Sequence, residues 1–303
     1  MLDVCLLGCG GTMPIPNRWL TSLLVRYHGK MILIDSGEGT QVVLKKLGWG
    51  LKSIDMILFT HYHADHIAGL PGLLLTIGNA GRTKPLVLVG PKGLVEVVKG
   101  LTVITPQLLY NLQFIELIEK HEEFSFLGDL RIHALAVEHS IPCYAFQIEI
   151  RRGRKFSPQK AKENQVPMIL WKRLQQEESV ESDGIEYTPD MVLGEKRKGL
   201  KICYVTDTRP IDDLVEFVAG AELLIAEGMY ASDEYLEKAE QNKHMLFCEA
   251  AWLARNGNIK ELWLTHFSPS LPNPEEYIEN ASAIFTNTQL GEERKTKTLY
   301  FSD

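Results

Sequence analysis

The segment Thr60-His61-Tyr62-His63-Ala64-Asp65-His66 places three imidazoles and one carboxylate within six consecutive positions. It continues the apolar run Met56–Thr60, which has the composition of a buried strand. Because residues two apart on an extended segment point the same way, His61 and His63 can converge on one ion. Asp65 and His66 can face a second ion where the chain turns into a helix predicted to begin near Ile67. Such a cluster is costly to desolvate unless something binds it, so we interpret it as a metal site and not as a histidine-rich surface loop.

Three further candidate ligands repeat one pattern, because each comes just after a predicted strand. They are His139 after Leu135–Val137, Asp207 after Cys203–Thr206 and His266 after Leu262–Thr265. Folds of the α/β class gather their functional groups at such strand ends. Four strand ends that carry nitrogen and oxygen ligands therefore predict a single metal centre.

Other polar motifs receive structural interpretations. His28 falls in a predicted turn, His121 is flanked by two glutamates, and His133 alternates within a predicted strand. The segment Gly8-Cys9-Gly10-Gly11-Thr12 lacks the lysine and the spacing of a P-loop, so we expect a tight turn after the first strand.

The remaining pattern is mixed α/β. Short β-branched runs predict strands at Val4–Leu7, Ser22–Arg26, Met31–Ile34, Met56–Thr60, Pro85–Val89, Leu130–Val137, Tyr144–Ile150, Lys201–Thr206, Leu223–Ala226 and Glu261–Thr265. Helical spacing predicts helices at Gly39–Leu47, Ile67–Ile77, Lys92–Gly100, Ile211–Ala219, His244–Arg255 and Pro274–Phe285. Strands cluster at the start and helices alternate with strands toward the end, which simple double winding explains poorly.

Composition indicates a folded globular protein, since 45% of the 303 residues are hydrophobic and 23% are charged. The first apolar run contains Asp3 and is too short for a signal peptide or a membrane span, so no membrane association is expected. The five cysteines form neither a disulfide framework nor a C-x-x-C pair, which favours the cytoplasm.

Residues 151–200 form a distinct basic segment, which opens with Arg151, Arg152, Arg154 and Lys155. Residues 151–201 contain 12 Lys and Arg against 8 Asp and Glu, a net charge of +4, so the rest of a chain of net charge −7 carries −11. This asymmetry indicates either an arm that binds a polyanion or simply a solvated face. The apolar stretch Val166–Trp171 within it could stack on nucleotides or pack against a partner subunit.

The motif His61-x-His63-x-Asp65-His66, with a later His, Asp and His, resembles that of the metallo-β-lactamase superfamily. The continuation Ile67-Ala68-Gly69-Leu70-Pro71-Gly72-Leu73-Leu74 narrows the resemblance to the ribonuclease Z family, endonucleases that trim the 3′ end of precursor tRNA. Similar motifs extend over nearly the whole chain, at Asp35–Gln41, Gly90–Gly93, His139–Pro142, Asp207–Arg209 and Leu264–Ser268.

The resemblance implies one metallo-β-lactamase-fold domain over residues 1–303, a four-layer αββα sandwich with an inserted arm at 151–200. It implies two zinc ions per subunit, with manganese as the alternative. His61, His63 and His139 would hold one ion, Asp65, His66 and His266 the other, and Asp207 would bridge them. It further implies a homodimer.

The same resemblance implies roles in catalysis. Asp65 would accept a proton from the attacking water, and His244, predicted at the start of a helix, would protonate the leaving 3′-oxygen with help from Glu227. Cleavage would leave a 3′-hydroxyl on the tRNA and a 5′-phosphate on the trailer. The basic segment would contact the tRNA. In this chain Ala226-Glu227-Gly228-Met229 stands where the family has His-Glu-Ala-Thr.

Four functions are compatible with these residues. The first is the tRNA 3′ endonuclease, and the alternative is a phosphodiesterase that acts on other RNA or small diesters. A lactonase, thioesterase or lactamase shares the fold but has no need for Glu227, His244 or a basic arm. A nonenzymatic nucleic-acid binder would have no need for a complete ligand set.

Overall fold

A computed structural model describes residues 1–302 of the chain. The strands are Leu2–Gly8 (β1), Ser22–Tyr27 (β2), Lys30–Ile34 (β3), Ile54–Leu58 (β4), Leu86–Pro91 (β5), Leu112–Leu117 (β6), His121–Leu127 (β7), Leu130–Val137 (β8), Cys143–Ile150 (β9), Val180–Ser182 (β10), Ile185–Tyr187 (β11), Leu200–Val205 (β12), Leu223–Glu227 (β13), Leu262–Thr265 (β14), Thr288–Leu290 (β15) and Lys295–Leu299 (β16). The helices are Thr40–Leu47 (α1), Ala64–Ile67 (α2), Leu70–Asn79 (α3), Leu94–Thr102 (α4), Pro158–Glu163 (α5), Trp171–Gln175 (α6), Asp212–Val218 (α7), Leu236–Asn242 (α8), Phe247–Asn256 (α9) and Glu279–Ser282 (α10).

The first six strands and the last strand of the chain form a seven-stranded sheet with the strand order β16-β1-β2-β3-β4-β5-β6. The strands from β3 to β6 run parallel, and their crossovers contain α1, α3 and α4. Apolar side chains of these helices pack with one face of the sheet, as Leu73 and Leu74 of α3 do with Ile57 and Leu88. The sheet is therefore covered by helices on one face.

Strands β7 to β9 and β12 to β15 form a second seven-stranded sheet with the order β15-β14-β13-β12-β9-β8-β7. Its strands from β12 to β15 run parallel, and α9 packs on β13 and β14 and also contacts α7 and α10. The two sheets meet where Tyr144 N donates to Thr60 O and Phe267 N to Cys9 O. The architecture is the expected α/β four-layer αββα sandwich.

The chain divides into two compact units. The first contains both large sheets and comprises residues 1–149 and 200–300. The second comprises residues 150–199 with 301 and 302, and contains α5, α6 and the β10–β11 hairpin. No helix in the described part of the chain is long and apolar enough to cross a membrane.

Helix boundaries differ from the sequence-based expectations in three places. The helix expected near Ile67 starts at Ala64 as α2, and α3 follows it as a separate helix. The helix expected from His244 begins only at Phe247, with Leu246 as its N-cap, so His244 lies in the connection between α8 and α9. The stretch from Pro274 starts with a 3₁₀ turn and continues as the short α10.

Candidate metal centre

The histidine-rich segment bends directly after β4. His61 and His63 remain on extended backbone, and the His61 Nε2 and His63 Nδ1 atoms lie 2.9 Å apart. The helix α2 then starts at Ala64, which turns Asp65 and His66 toward the other side of the cluster. One short segment thus supplies candidate ligands to two positions, as its residue spacing indicated.

The three candidates at the other strand ends meet this segment. His139, two residues after β8, has its Nε2 3.2 Å from His63 Nδ1. Asp207, two residues after β12, has Oδ2 3.2 Å from His66 Nε2. His266 follows β14 directly, and its Nε2 lies 3.1 Å from His66 Nε2 and 3.3 Å from Asp65 Oδ2. The structure therefore brings together all seven residues that the sequence singled out.

These side chains form overlapping sets whose ligand atoms lie within 4.8 Å of one another. One set consists of His61, His63 and His139, and a second consists of Asp65, His66 and His266. Asp207 belongs to two further sets, one with His61 and His66 and the other with His244 and His266. Asp207 is thus the residue that connects the sets. His244 joins the cluster as well, although the sequence suggested only a proton-transfer role for it.

The donor set fits divalent cations. Ring nitrogens of neighbouring histidines lie close to each other. The buried Asp207 Oδ2 has no well-aligned hydrogen bond, although His66 Nε2 and His266 Nε2 lie within 3.4 Å of it. Burial lowers the pKa of His61, His63 and His139, which keeps these rings neutral, the form that binds metals. Imidazole and carboxylate without thiolate suit zinc or manganese in a site that leaves room for water.

Both candidate carboxylate ligands are ionised. Burial opposes ionisation of Asp207, but the neighbouring His266 and His66 rings hold its pKa well below the usual range. The pKa of Asp65 is held low in the same way by His266 and His66, against the effect of burial. The main-chain N–H of Thr12 also donates to Asp65 Oδ2 at 2.7 Å.

Asp35, which follows β3, orients two of the histidines through hydrogen bonds to the ring side that faces away from the cluster. His66 Nδ1 donates to Asp35 Oδ2 at 2.8 Å, which leaves His66 Nε2 to face the cluster. The Thr60 hydroxyl donates to Asp35 as well, so its oxygen can accept from His61 Nδ1 at 3.0 Å. Such outer partners fix the ring orientation of metal ligands. The sequence analysis gave Asp35 no role, although its place directly after a strand was a usable signal.

Three residues at the centre have left-handed backbone conformations, which non-glycine residues seldom adopt. They are Asp35 at φ 61°, Asp207 at φ 55° and His266 at φ 59°, each one or two residues beyond a parallel strand. This conformation bends the chain sharply at the strand end. Strain of this kind is typical of functional sites.

His244 and Glu227 form a buried pair beside the cluster. His244 Nδ1 donates to Glu227 Oε2 at 2.9 Å, and Glu227 Oε1 accepts from Thr208 N at 2.6 Å. Burial alone would lower the pKa of His244, but the Glu227 carboxylate raises it to about 9. His244 is therefore protonated near neutral pH. Its ring centroid lies 5.3 Å from that of His139 and 5.6 Å from that of His266.

Main-chain contacts hold the segment that carries His244. Arg209 donates to the His244 carbonyl at 2.5 Å and pairs with Glu249, whose carboxylate also accepts from Leu246 N. The preceding carbonyl, of Lys243, accepts from His139 Nδ1 at 3.2 Å. The position of His244 thus depends on α9 and on a candidate ligand, a connection that the sequence did not reveal.

The cluster lies at the bottom of an open cleft of about 690 Å³. Its lining includes Lys238, Gln241 and Asn242 of α8 on one side and Ser268 to Ser270 on another. This space is large enough to admit a substrate to the cluster.

The four basic residues proposed for substrate binding lie in the second unit. Arg154 pairs with Asp190 at 2.6 Å and donates to Gly194 O, so its guanidinium holds that unit together. Arg152 donates to Ser302 O and lies over the Phe301 ring. Arg152 and Lys155 line a hollow of about 470 Å³ with further basic residues, and Arg151 lies beside them in the chain.

The chain is similar to known proteins over its full length. The protein named Ribonuclease Z of Clostridium kluyveri is 55% identical over 303 residues, 100% of both chains. Residues 2–157 match the family described as Anti-Pycsar protein Apyc1. The structure of the short form of human tRNase Z has a TM-score of 0.71 at 24% identity and covers 99% of this chain and 100% of its own.

A second solved structure, that of the metallo-β-lactamase fold protein YhfI from Bacillus subtilis, has a TM-score of 0.70 at 20% identity. It covers 98% of each chain. The expected metallo-β-lactamase fold is thereby confirmed.

Proposed function

This chain belongs to the ribonuclease Z family, and from that membership we propose that it removes the 3′ trailer of precursor tRNA with two zinc ions per subunit. Membership makes it a hydrolase, a metallo-endoribonuclease of tRNA 3′-end processing. The proposed products are a 3′-hydroxyl on the tRNA and a 5′-phosphate on the trailer. The observation that carries the mechanism is the His244–Glu227 pair at the edge of the ligand cluster.

His61, His63 and His139 would hold one ion and Asp65, His66 and His266 the other, with Asp207 shared between them. Two such ions activate water as a nucleophile and neutralise charge on the phosphodiester oxygens. Manganese is the alternative metal, since it accepts the same ligands.

Asp65 orients the attacking water and accepts its proton. Its carboxylate is ionised and is fixed by the Thr12 N–H, so it presents a defined acceptor at the bottom of the cleft. A positioned base of this kind contributes roughly 10²- to 10⁴-fold to a rate.

His244 donates a proton to the leaving 3′-oxygen. Glu227 holds Nδ1 and stabilises the protonated ring, so Nε2 is the nitrogen that remains for the substrate. Glu227 is fully buried and is itself fixed by Thr208 N, so it acts through His244 and does not touch RNA. The 3′-oxygen of RNA would leave as an alkoxide, which is a poor leaving group, so its departure needs an acid. An ester with a good leaving group does not need one.

The remaining parts of the proposal concern organisation. The chain is one metallo-β-lactamase-fold domain, with residues 151–200 as an inserted arm that binds tRNA through Arg151, Arg152, Arg154 and Lys155. The net charge of +4 over residues 151–201 supports this role. We place the enzyme in the cytoplasm, as a homodimer.

The direct test is incubation of the purified protein with a precursor tRNA that bears a 3′ trailer, beside bis(p-nitrophenyl) phosphate. Treatment with a chelator should stop both reactions, and zinc and manganese are then added back separately. Release of an intact trailer with a 5′-phosphate supports the proposal. Hydrolysis of the small diester without any cleavage of the precursor would instead favour a phosphodiesterase with another substrate.

A further inference from the structure

A second, smaller cavity of about 90 Å³ opens beside the metal cleft. The two spaces share the lining residues Met229, Tyr230, Ser268 and Ser270. The cavity and the metal cleft are therefore adjacent.

Three tyrosines contribute to the walls of the cavity. Tyr235 and Tyr277 are 47% and 38% exposed, whereas Tyr230 between the cavity and the cleft is buried. The rings of Tyr230 and Tyr235 stack with their centroids 5.8 Å apart and their planes inclined by 19°. On its other side, the Tyr230 ring lies 6.3 Å from that of His244. The aromatic surface thus begins next to the proposed acid.

Hydrogen bonds from residues outside the cavity hold its walls in place. Arg18 donates to the carbonyls of Leu271 and Pro272 at 2.8 and 2.7 Å. On the opposite wall, Asn280 Nδ2 donates to Ala231 O at 2.7 Å. These bonds tie both walls to other parts of the first unit, so the cavity has a defined shape.

Two polar side chains of the cavity, Asn273 and Glu276, offer hydrogen-bond acceptors. Asn273 Nδ2 donates to Glu276 Oε1 at 2.9 Å, which leaves Asn273 Oδ1 and Glu276 Oε2 as acceptors. A carboxylate repels a phosphate, so the cavity does not suit the backbone of a nucleic acid. It suits the edge of a base that donates hydrogen bonds, as the exocyclic amine of cytosine does.

We propose that this cavity binds a nucleobase of the RNA substrate next to the scissile phosphate, by stacking on Tyr235 and Tyr277 and by hydrogen bonding to Glu276. The inference rests on the proposed function and adds the contact that positions the cleavage site.

The test compares Tyr235→Ala and Tyr277→Ala with the wild type on precursor tRNA. Stacking contributes about 1–3 kcal/mol per base, so each variant should raise KM about tenfold and leave kcat within about twofold. Tyr235→Phe, which keeps the ring, should behave like the wild type. Tyr300→Ala is the matched control, because Tyr300 is 69% exposed and lies outside both cavities.

Glu276→Gln tests the base edge separately, on precursors with cytosine or uracil at each nucleotide that flanks the cleavage site. The wild type should prefer cytosine to uracil at one of these nucleotides. In Glu276→Gln this preference should be about tenfold smaller. Unchanged KM values in both alanine variants would overturn the proposal, as would a loss in Tyr300→Ala equal to theirs.

A parallel binding measurement separates this proposal from the proposed function. Anisotropy of a short fluorescein-labelled single-stranded RNA reports the dissociation constant without cleavage. If the wild type fails to cleave precursor tRNA, the proposed function is wrong, and the cavity is still supported by weaker RNA binding in Tyr235→Ala and Tyr277→Ala. Equal binding by wild type and variants rejects the cavity as a base site.

Discussion

At the scale of single residues, Asp35 connects the two proposed metal sites. Its carboxylate accepts from His66 Nδ1 and from the hydroxyl of Thr60, which in turn supports His61. In the proposed assignment, His61 holds one ion with His63 and His139, whereas His66 holds the other with Asp65 and His266. The buried carboxylate of Asp35 therefore orients one histidine ring in each proposed metal site.

Asp35→Asn should weaken metal binding in both sets. The amide keeps the shape of the side chain but removes the charge that fixes the two rings, and loss of such a partner costs roughly 10- to 100-fold in metal affinity. Competition with a chromogenic chelator measures this affinity independently of activity. Asp129→Asn, whose carboxylate bonds Tyr27 instead, is the control and should bind metal as the wild type does. Unchanged affinity in Asp35→Asn would contradict this account.

Asp65→Ala and His63→Ala should each abolish hydrolysis and leave the protein folded. His63 precedes α2 and Asp65 lies within it, and neither side chain belongs to the buried core, so their removal leaves no cavity there. Circular dichroism and thermal unfolding check the fold, and bis(p-nitrophenyl) phosphate checks the chemistry. Full activity on any phosphodiester in either variant would refute the proposed two-metal assignment.

His244→Ala should separate substrates by their leaving groups. Cleavage of RNA, whose leaving alkoxide needs a proton, should fall by roughly 10²-fold or more. Hydrolysis of bis(p-nitrophenyl) phosphate should barely change, because nitrophenolate leaves without a proton. The two rates are measured on the same preparation, and equal losses on both substrates would exclude the acid role.

The candidate ligands could be identified from the sequence because of their residue type and position. Histidine and aspartate directly after apolar runs stand out, and His61 to His66 stand out most. Asp35 also follows an apolar run, but a single aspartate before Ser36 and Gly37 is equally typical of a turn. The left-handed backbone of Asp35, Asp207 and His266 was equally hidden, because it depends on tertiary contacts that hold an unfavourable conformation.

At the scale of elements, the strands that the sequence did not reveal have a common position. All ten predicted strands exist, and the four missed in the large sheets are β6, β7, β15 and β16, the two edges of each sheet. Edge strands are half exposed, so they alternate polar and apolar residues and lack the continuous apolar runs of central strands. The central strands end at the site, and for this reason the site was more predictable than the sheets.

The turn after β1 is closer to the site than its sequence suggested. It is the expected tight turn, but Gly11 lies against the ring of His266, and a Cβ atom there would be 2.7 Å from His266 Cε1. The next residue, Thr12, donates its N–H to Asp65. Glycine is therefore required here for close approach to two candidate ligands.

Gly11→Ala should impair catalysis through His266 alone. The added methyl group must displace the ring, and a misplacement on the order of 1 Å can cost about 10²-fold in rate. Gly100→Ala in α4 is the control, because nothing lies within 4 Å of its added Cβ. The measurement is kcat/KM for bis(p-nitrophenyl) phosphate, together with the melting temperature. Equal activities in the two variants would mean that the turn can move away without affecting His266.

At the scale of the whole molecule, the basic segment is a folded unit with its own core. Ala161, Leu174, Val192 and Leu193 are buried within it, and Phe156 and Trp171 pack on them. The apolar stretch expected to face RNA or a partner is divided, since Leu170 is buried while Met168 and Ile169 are 75% and 85% exposed. The sequence indicated the charge of this unit but not its core, whose apolar residues are spaced too widely to form runs.

Replacement of Arg151, Arg152 and Lys155 by alanine should raise the dissociation constant for precursor tRNA at least about tenfold and flatten its salt dependence. Lysine and arginine contacts to phosphate release counterions, so binding that depends on them weakens with salt. Hydrolysis of the nitrophenyl diester should survive, since all seven candidate ligands lie in the other unit. The dissociation constants are measured by filter binding over a range of salt concentrations. If affinity and salt slope both stay unchanged, these basic residues do not bind tRNA, and exposed Met168 and Ile169 would point to a protein partner instead.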